Sequence, residues 1–170
     1  MKKIILFLLF ISAFSNANSQ FRYTAKIESA YHIFLSRPVR VDAGLDWRGY
    51  ELAERPNGFE VGVVNGVSFK GNFRFGLGLS YLNYEGINGN SIYGDVEVAT
   101  SKARLSPVFN LKIGRSHINN QYEDGSTSSF VDISGGLERK VSEKISLQFK
   151  LGFRAVHQSI FFPIRIGARF

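Results

Sequence analysis

The sequence contains no cysteine. Disulfides, thiol chemistry and a lipid-modified cysteine are therefore excluded, and an exported chain of this size must be held by packing, by backbone hydrogen bonds or by a membrane. Beyond its first twenty residues it has no apolar run of the ~20 residues that a spanning helix requires. Helical periodicity is nearly absent too; apolar residues instead recur at every second position. No cluster of five or more basic residues exists, so the net charge of +7 does not read as nucleic-acid binding. His32, His117 and His157 are scattered along the chain, and no local Cys/His/Asp spacing supports a metal site. Nor is there a cofactor signature: GLGLSY holds a lone Gly-x-Gly without the strand-to-helix context of a phosphate loop. YEDGSTSS is a polar loop with an Asp-Gly turn and nothing that supports calcium.

The first stretch, MKKIILFLLFISAFSNANSQ, starts basic at Lys2 and Lys3 and runs apolar from Ile4 to Phe14. Small residues follow, with Ala17 and Ser19 at cleavage positions. This pattern predicts a secretory signal peptide over 1–19 and one mature domain over 20–170. Loss of Lys2 and Lys3 lowers the net charge from +7 to +5. For an exported chain, anionic lipid or a polyanionic cell surface fits that balance better than nucleic acid.

Two-residue alternation predicts eight strands. FRFGLGLSYLNY sets Phe73, Phe75, Leu77, Leu79 and Tyr81 against Arg74, Gly76, Gly78 and Ser80. ISLQFKLGFRAV, LSPVFNLKIG and FEVGVVNGVSF alternate in the same way. YTAKIESAYHI, SIYGDVEVAT, FVDISGGLER and the terminal FFPIRIGARF complete the set. Each has about the length of a tilted membrane-spanning strand. Tight turns at Lys70–Asn72, Ser101–Arg104 and Ser142–Lys144 alternate with mostly longer connections, at Ser36–Gly58, Glu85–Asn90 and His117–Ser129. The last connection, His157–Phe161, is short. Short turns at one end and long loops at the other describe an all-β, antiparallel up-and-down barrel.

Alternation alone does not say which face is inside. A soluble barrel puts its apolar face inward, whereas a membrane barrel puts it against lipid. The polar face decides. It carries Lys26, Arg74, Lys112, Lys150, Arg154, Arg165 and Arg169, against Glu28, Glu60, Asp95, Glu97, Asp132 and Glu138. Near-balanced charge suits mutual pairing in a closed space, because buried ions need partners. Glycines recur on this same face, as a narrow eight-stranded lumen requires. Aromatic residues lie near strand ends of the apolar face, as in the girdles of lipid-facing barrels. The reading is therefore an eight-stranded transmembrane barrel whose lumen is filled by charged side chains and is not an open pore. A soluble periplasmic barrel binding a small apolar ligand is the competing architecture.

NGVSFKGNFRFGLGLSY, LSPVFNLKIG, KISLQFKLGF and FFPIRIGARF together resemble the small outer-membrane β-barrel proteins of Gram-negative bacteria, in the OmpA/OmpX-like size class. The resemblance covers roughly residues 20–170. It implies a bacterial outer-membrane location, contact with outer-membrane lipid and lipopolysaccharide, and an expected monomer. The final strand, with Phe162, Ile164, Ile166 and Phe170, looks like the signal read by the barrel-assembly machinery of such proteins. Arg165 and Arg169 are expected to reach carboxylates such as Glu28, Glu138 or Asp132.

The role expected from this reading is non-enzymatic, structural or surface-interacting through the loops. Trp47 and Tyr50 in the first loop are candidate contacts, since aromatic residues dominate interface hot spots. Arg115, with Arg37, Arg40, Arg48 and Arg55, has the chemistry to pair with lipopolysaccharide phosphates, although Asp42, Asp46, Glu51 and Glu54 accompany the loop arginines as ordinary solubilising charge. The enzymatic alternative rests on His157 and Ser159, which resemble the His-x-Ser pair of PagL-type lipid A deacylases. Counting by twos places both on the lipid-facing side. Against it, no Asp or Glu follows Ser159 to orient the base, and Ile160 stands where that family has Asn.

Overall fold

The computed structural model describes residues 20–36, 57–84, 87–101, 103–119 and 125–170. The expected signal peptide and the loop residues Trp47 and Tyr50 lie outside this set, as do Arg37, Arg40, Arg48 and Arg55. The strands are β1 (Phe21–Ser36), β2 (Gly58–Phe69), β3 (Phe73–Tyr84), β4 (Ile87–Ala99), β5 (Leu105–Ile118), β6 (Ser126–Lys140), β7 (Ser146–Val156) and β8 (Ser159–Arg169). Every strand pairs antiparallel with its neighbours in sequence, and β1 pairs with β8 to close the barrel. The closing register runs from Lys26↔Arg169 to Phe34↔Phe161, with a bulge between Phe34 and Ser36. Ala25 and Phe170 extend it by two reciprocal main-chain bonds of 3.1 and 2.8 Å. Closure leaves no strand edge, which is the condition for a sheet to survive where no water can satisfy the backbone.

Three strands run further toward the loop end than alternation predicts. The connection expected over Glu85–Asn90 is mostly strand, because β4 already starts at Ile87. β5 reaches Ile118 and β6 begins at Ser126, which shortens the expected His117–Ser129 loop. In each case the backbone keeps pairing after the apolar alternation has ended, since main-chain hydrogen bonds do not depend on which side chains are apolar. The last connection is only His157–Gln158, both with positive φ (47° and 61°), the conformation of a tight hairpin turn.

Polarity is inverted relative to a water-soluble fold. Every strand presents apolar side chains on the outer surface, among them Ile27, Val63, Phe75, Leu77, Ile92, Phe109, Ile133, Leu147, Phe153 and Ile166. Aromatic side chains stand on it toward both ends, among them Phe21, Tyr23, Phe73 and Phe170 at the turn end and Tyr31, Phe59 and Tyr81 toward the loop end. The outward Asn65 accepts a 2.7 Å hydrogen bond from Tyr23 Oη, so its amide oxygen is paired within the belt. The two prolines in strands sit where a missing N–H is tolerated. Pro107 is near the start of β5, and Pro163 falls where the β7–β8 register passes from Leu151↔Ile164 to Arg154↔Phe161.

Candidate functional site

The lumen carries the chemistry. Strand parity alone aims Lys26, Glu28, Glu60, Arg74, Asp95, Glu97, Lys112, Asp132, Glu138, Lys150, Arg154, Arg165 and Arg169 inward, and all thirteen are buried. Three carboxylates organise them. Near the turn end, Glu97 meets Arg74 and Arg169 at 2.6 Å each, Lys150 at 3.3 Å and Lys26 at 3.4 Å. Gln148 Nε2 donates to the same carboxylate at 2.8 Å. Arg74 also bridges to Glu138 at 2.7 Å. At mid-height, Glu28 pairs with Lys112, with Lys150 at 2.6 Å, with Arg165 at 3.4 Å and with Lys26 at 3.5 Å. Arg165 forms a fork on Asp132, one arm at 2.6 Å, and Lys26 reaches Asp95 at 2.9 Å. Higher still, Glu60 accepts from Arg154 at 2.8 Å and from Ser80 at 2.6 Å, and lies 3.0 Å from the His32 ring.

Arg165 therefore reaches Asp132 and Glu28, two of the carboxylates expected for it. Arg169 does not reach the expected set; it pairs with Glu97 and donates to Thr24 Oγ1 at 3.1 Å. The reason is stagger. Strands tilt in a closed barrel, so a side chain meets residues displaced along the axis across the lumen as well as its ladder neighbours.

Above Glu60 the lumen changes character. Leu82, Tyr84, Ile118, Phe130, Val156 and Phe161 form a buried apolar cluster at the loop end, which reaches down to Tyr93 and Val64 at mid-strand. The expectation of a lumen filled by charged side chains is thus corrected for this half. Tyr84 and Phe161 rings pack at 5.2 Å, Tyr93 and Phe130 at 5.9 Å, and His32 stands edge-on to Tyr84. Cations join the two halves: the Arg154 guanidinium lies 4.0 Å from the centre of the Phe130 ring and Lys112 Nζ 4.9 Å from that of Tyr93. Glycine makes the room. A β-carbon on Gly78 would overlap the Tyr93 ring, and one on Gly58 the Tyr84 ring. The signal was present in the sequence, because Leu82 and Tyr84 share the parity of Arg74, Phe130 that of Asp132, and Val156 that of Arg154.

His157 and Ser159 do not stand where counting by twos places them: both are buried on the lumen side, not on the lipid-facing side. Val156 pairs with Ser159 across the two-residue turn, so both strands leave the turn on the same face. Ser159 Oγ donates to the His157 main-chain carbonyl at 3.3 Å, not to its ring. Burial, and then the Arg154 charge, push the His157 imidazole down to about 4. No group of three His, Cys, Asp or Glu side chains that could hold a metal occurs among the described residues. Arg115 is exposed on the outer face near the loop end of β5. Phe162, Ile164, Ile166 and Phe170 line the outward face of β8 and the residue after it, with Phe162 against Phe153 at 5.6 Å.

Comparison with known proteins bears on the fold. No protein-family model and no curated protein matches the chain. Among solved structures, the chain is similar to Neisserial surface protein A, with a TM-score of 0.64 and 13% identity over 88% of this chain and 97% of that one. It is also similar to the N-terminal β-barrel domain of Pseudomonas aeruginosa OprF, with a TM-score of 0.54 and 14% identity over 89% of this chain and all (100%) of that one. The shared feature is the fold, that of the small outer-membrane barrels.

Proposed function

We propose that this chain is an integral bacterial outer-membrane β-barrel, exported through a cleaved signal peptide, and that it works as a structural or surface-interaction protein without enzymatic activity. One observation carries the reading: a closed barrel with an ion-paired interior and an apolar exterior that includes Leu77, 73% exposed, and Ile133 and Ile166, each 62% exposed. In water that exterior would be a large unpartnered apolar surface; in a bilayer it is solvated. The lumen supports a plug over a pore. Buried cations are locked to Glu28, Glu60 and Glu97, and the apolar cluster sits across the loop end. Short turns at one end suit a periplasmic end, and the longer connections an outer one, by the usual orientation of such barrels. In this reading Arg115, exposed on the outer face near the loop end, pairs with lipopolysaccharide phosphate, the first loop supplies further arginines and the candidate contacts Trp47 and Tyr50 from its sequence, and the β8 pattern serves the assembly machinery.

Cell fractionation with a heat-modifiability gel tests the reading. Recovery in the outer-membrane fraction with a faster band before boiling is expected. Recovery in the soluble periplasm with no mobility difference would sink it and leave the soluble barrel.

A further inference from the structure

The turn end of the barrel carries a charge pattern that the plug does not explain. Arg22, Lys70, Arg104, Arg139, Lys140 and Lys144 stand there, opposed by the exposed Glu143. Arg22, Lys70, Arg104, Arg139 and Lys144 are exposed, and Lys140 is half-buried. Within this collar a cavity of about 220 Å³ opens at the mouth of the lumen. That is space for several water molecules at about 30 Å³ each. Its basic lining is Arg22, Arg74, Lys140, Lys144 and Arg169. Arg74 and Arg169 are buried to 7% exposure and already engage Glu97 and Glu138. The Arg169 Nε is still left without an acceptor. The lining thus carries five basic side chains against the two carboxylates Glu138 and Glu143, which makes the mouth electropositive.

The same cavity has an apolar side. Tyr23, Ile145 and Phe170 line it and are exposed on the outer belt, Tyr23 at 73%. A ligand seated here meets cations on one flank and, on the other, the surface where hydrocarbon begins. A free ion uses only the first flank; a membrane lipid uses both. Basic residues at a membrane surface attract anionic lipid, and arginine pairs with phosphate through two parallel hydrogen bonds.

We propose that this mouth is a binding site for the phosphate head group of an anionic phospholipid in the leaflet at the turn end. The proposal rests on the membrane reading above. The phosphate lies against Arg22, Lys140 and Lys144, and the acyl chains run down past Tyr23, Ile145 and Phe170. Binding there would fix the depth of the barrel in the bilayer and clamp the β8–β1 closure, since Arg22, Tyr23 and Phe170 flank that seam.

The full chain, folded in zwitterionic micelles, can be tested by native mass spectrometry with phosphatidylglycerol and phosphatidylcholine at equal concentration. Retention of phosphatidylglycerol about tenfold above phosphatidylcholine is expected. The triple variant R22Q/K140Q/K144Q is expected to lose that preference while keeping the gel mobility shift of a folded barrel. Equal retention of the two lipids, or a preference that survives in the triple variant, overturns the proposal. Binding of inorganic phosphate without phosphatidylglycerol overturns the lipid assignment. The mobility shift separates the two levels: a shifted band without lipid preference ends only this proposal, whereas no shifted band in any lipid ends the membrane reading with it.

Discussion

The two halves of the lumen are built on the same strands and the same parity, yet they are held by different physics. The turn-end half is a lattice of ion pairs centred on Glu97 and Glu28, each touching four cations. The loop-end half is an aromatic and aliphatic cluster closed by Tyr84, Phe130 and Phe161. The first is strong only while every member is present, because a buried charge stripped of its partner has no water to turn to. The second degrades gradually, since losing one side chain costs its transfer energy plus a cavity. Glu60 and Arg154 stand at the boundary, paired with each other while Arg154 also covers the Phe130 ring.

The largest expected effect comes from breaking the charged half at one point. Arg165→Met leaves Asp132 without its fork and removes a contact from Glu28 and Glu60. A loss of about 3–5 kcal/mol is expected, read as a lower urea midpoint for the heat-modifiable band. Adding Asp132→Leu should restore most of it. If the single change cost no more than a surface substitution, water would have to reach Asp132 and the lattice would not be dry.

A smaller effect is expected in the apolar half. Phe161→Ala removes a ring packed against Tyr84, Phe34 and His32, for about 3 kcal/mol by the same urea assay. No second-site partner should rescue it, unlike the ion pair. Rescue by a second substitution that does not refill the space would erase the distinction between the halves.

The smallest change acts at the loop end and should stabilise. Gln158 holds φ at 61° in the final turn. Gln158→Gly relieves a left-handed conformation that costs an L-residue roughly 1–2 kcal/mol. The urea midpoint is expected to rise by the equivalent of about 1 kcal/mol. An unchanged or lower midpoint would mean that the Gln158 side chain contributes at least as much as its backbone costs.

How much of this was legible depends on whether a feature is local. Alternation identified the outward belt and the inward charges, because parity is a property of one strand at a time. It did not say that Lys26 meets Asp95, 69 positions away, or that Arg169 meets Glu97, 72 away. Those partners are selected by closure and stagger, which no single strand encodes. His157 and Ser159 show the limit most directly. Counting forward from β7 puts Ser159 outside, while counting back from Arg165 along β8 puts it inside, and the two-residue turn makes the second count correct. The apolar cap was missed for a related reason. Tyr84 and Phe130 look like ordinary strand residues until the loop ends of the strands are brought around one axis.

From the order of residues alone come the all-β class, the eight strands, and the division into an apolar and a charged face, because each follows from a two-residue period over a dozen positions. Closure of β1 on β8 is what turns that divided ribbon inside out. It places the charged face in a space too narrow for water to screen it, and there each cation must find a carboxylate across the lumen. It also gathers the loop-end aromatics into one cap and the turn-end cations into one mouth, groupings that exist only once strands far apart in sequence share a rim.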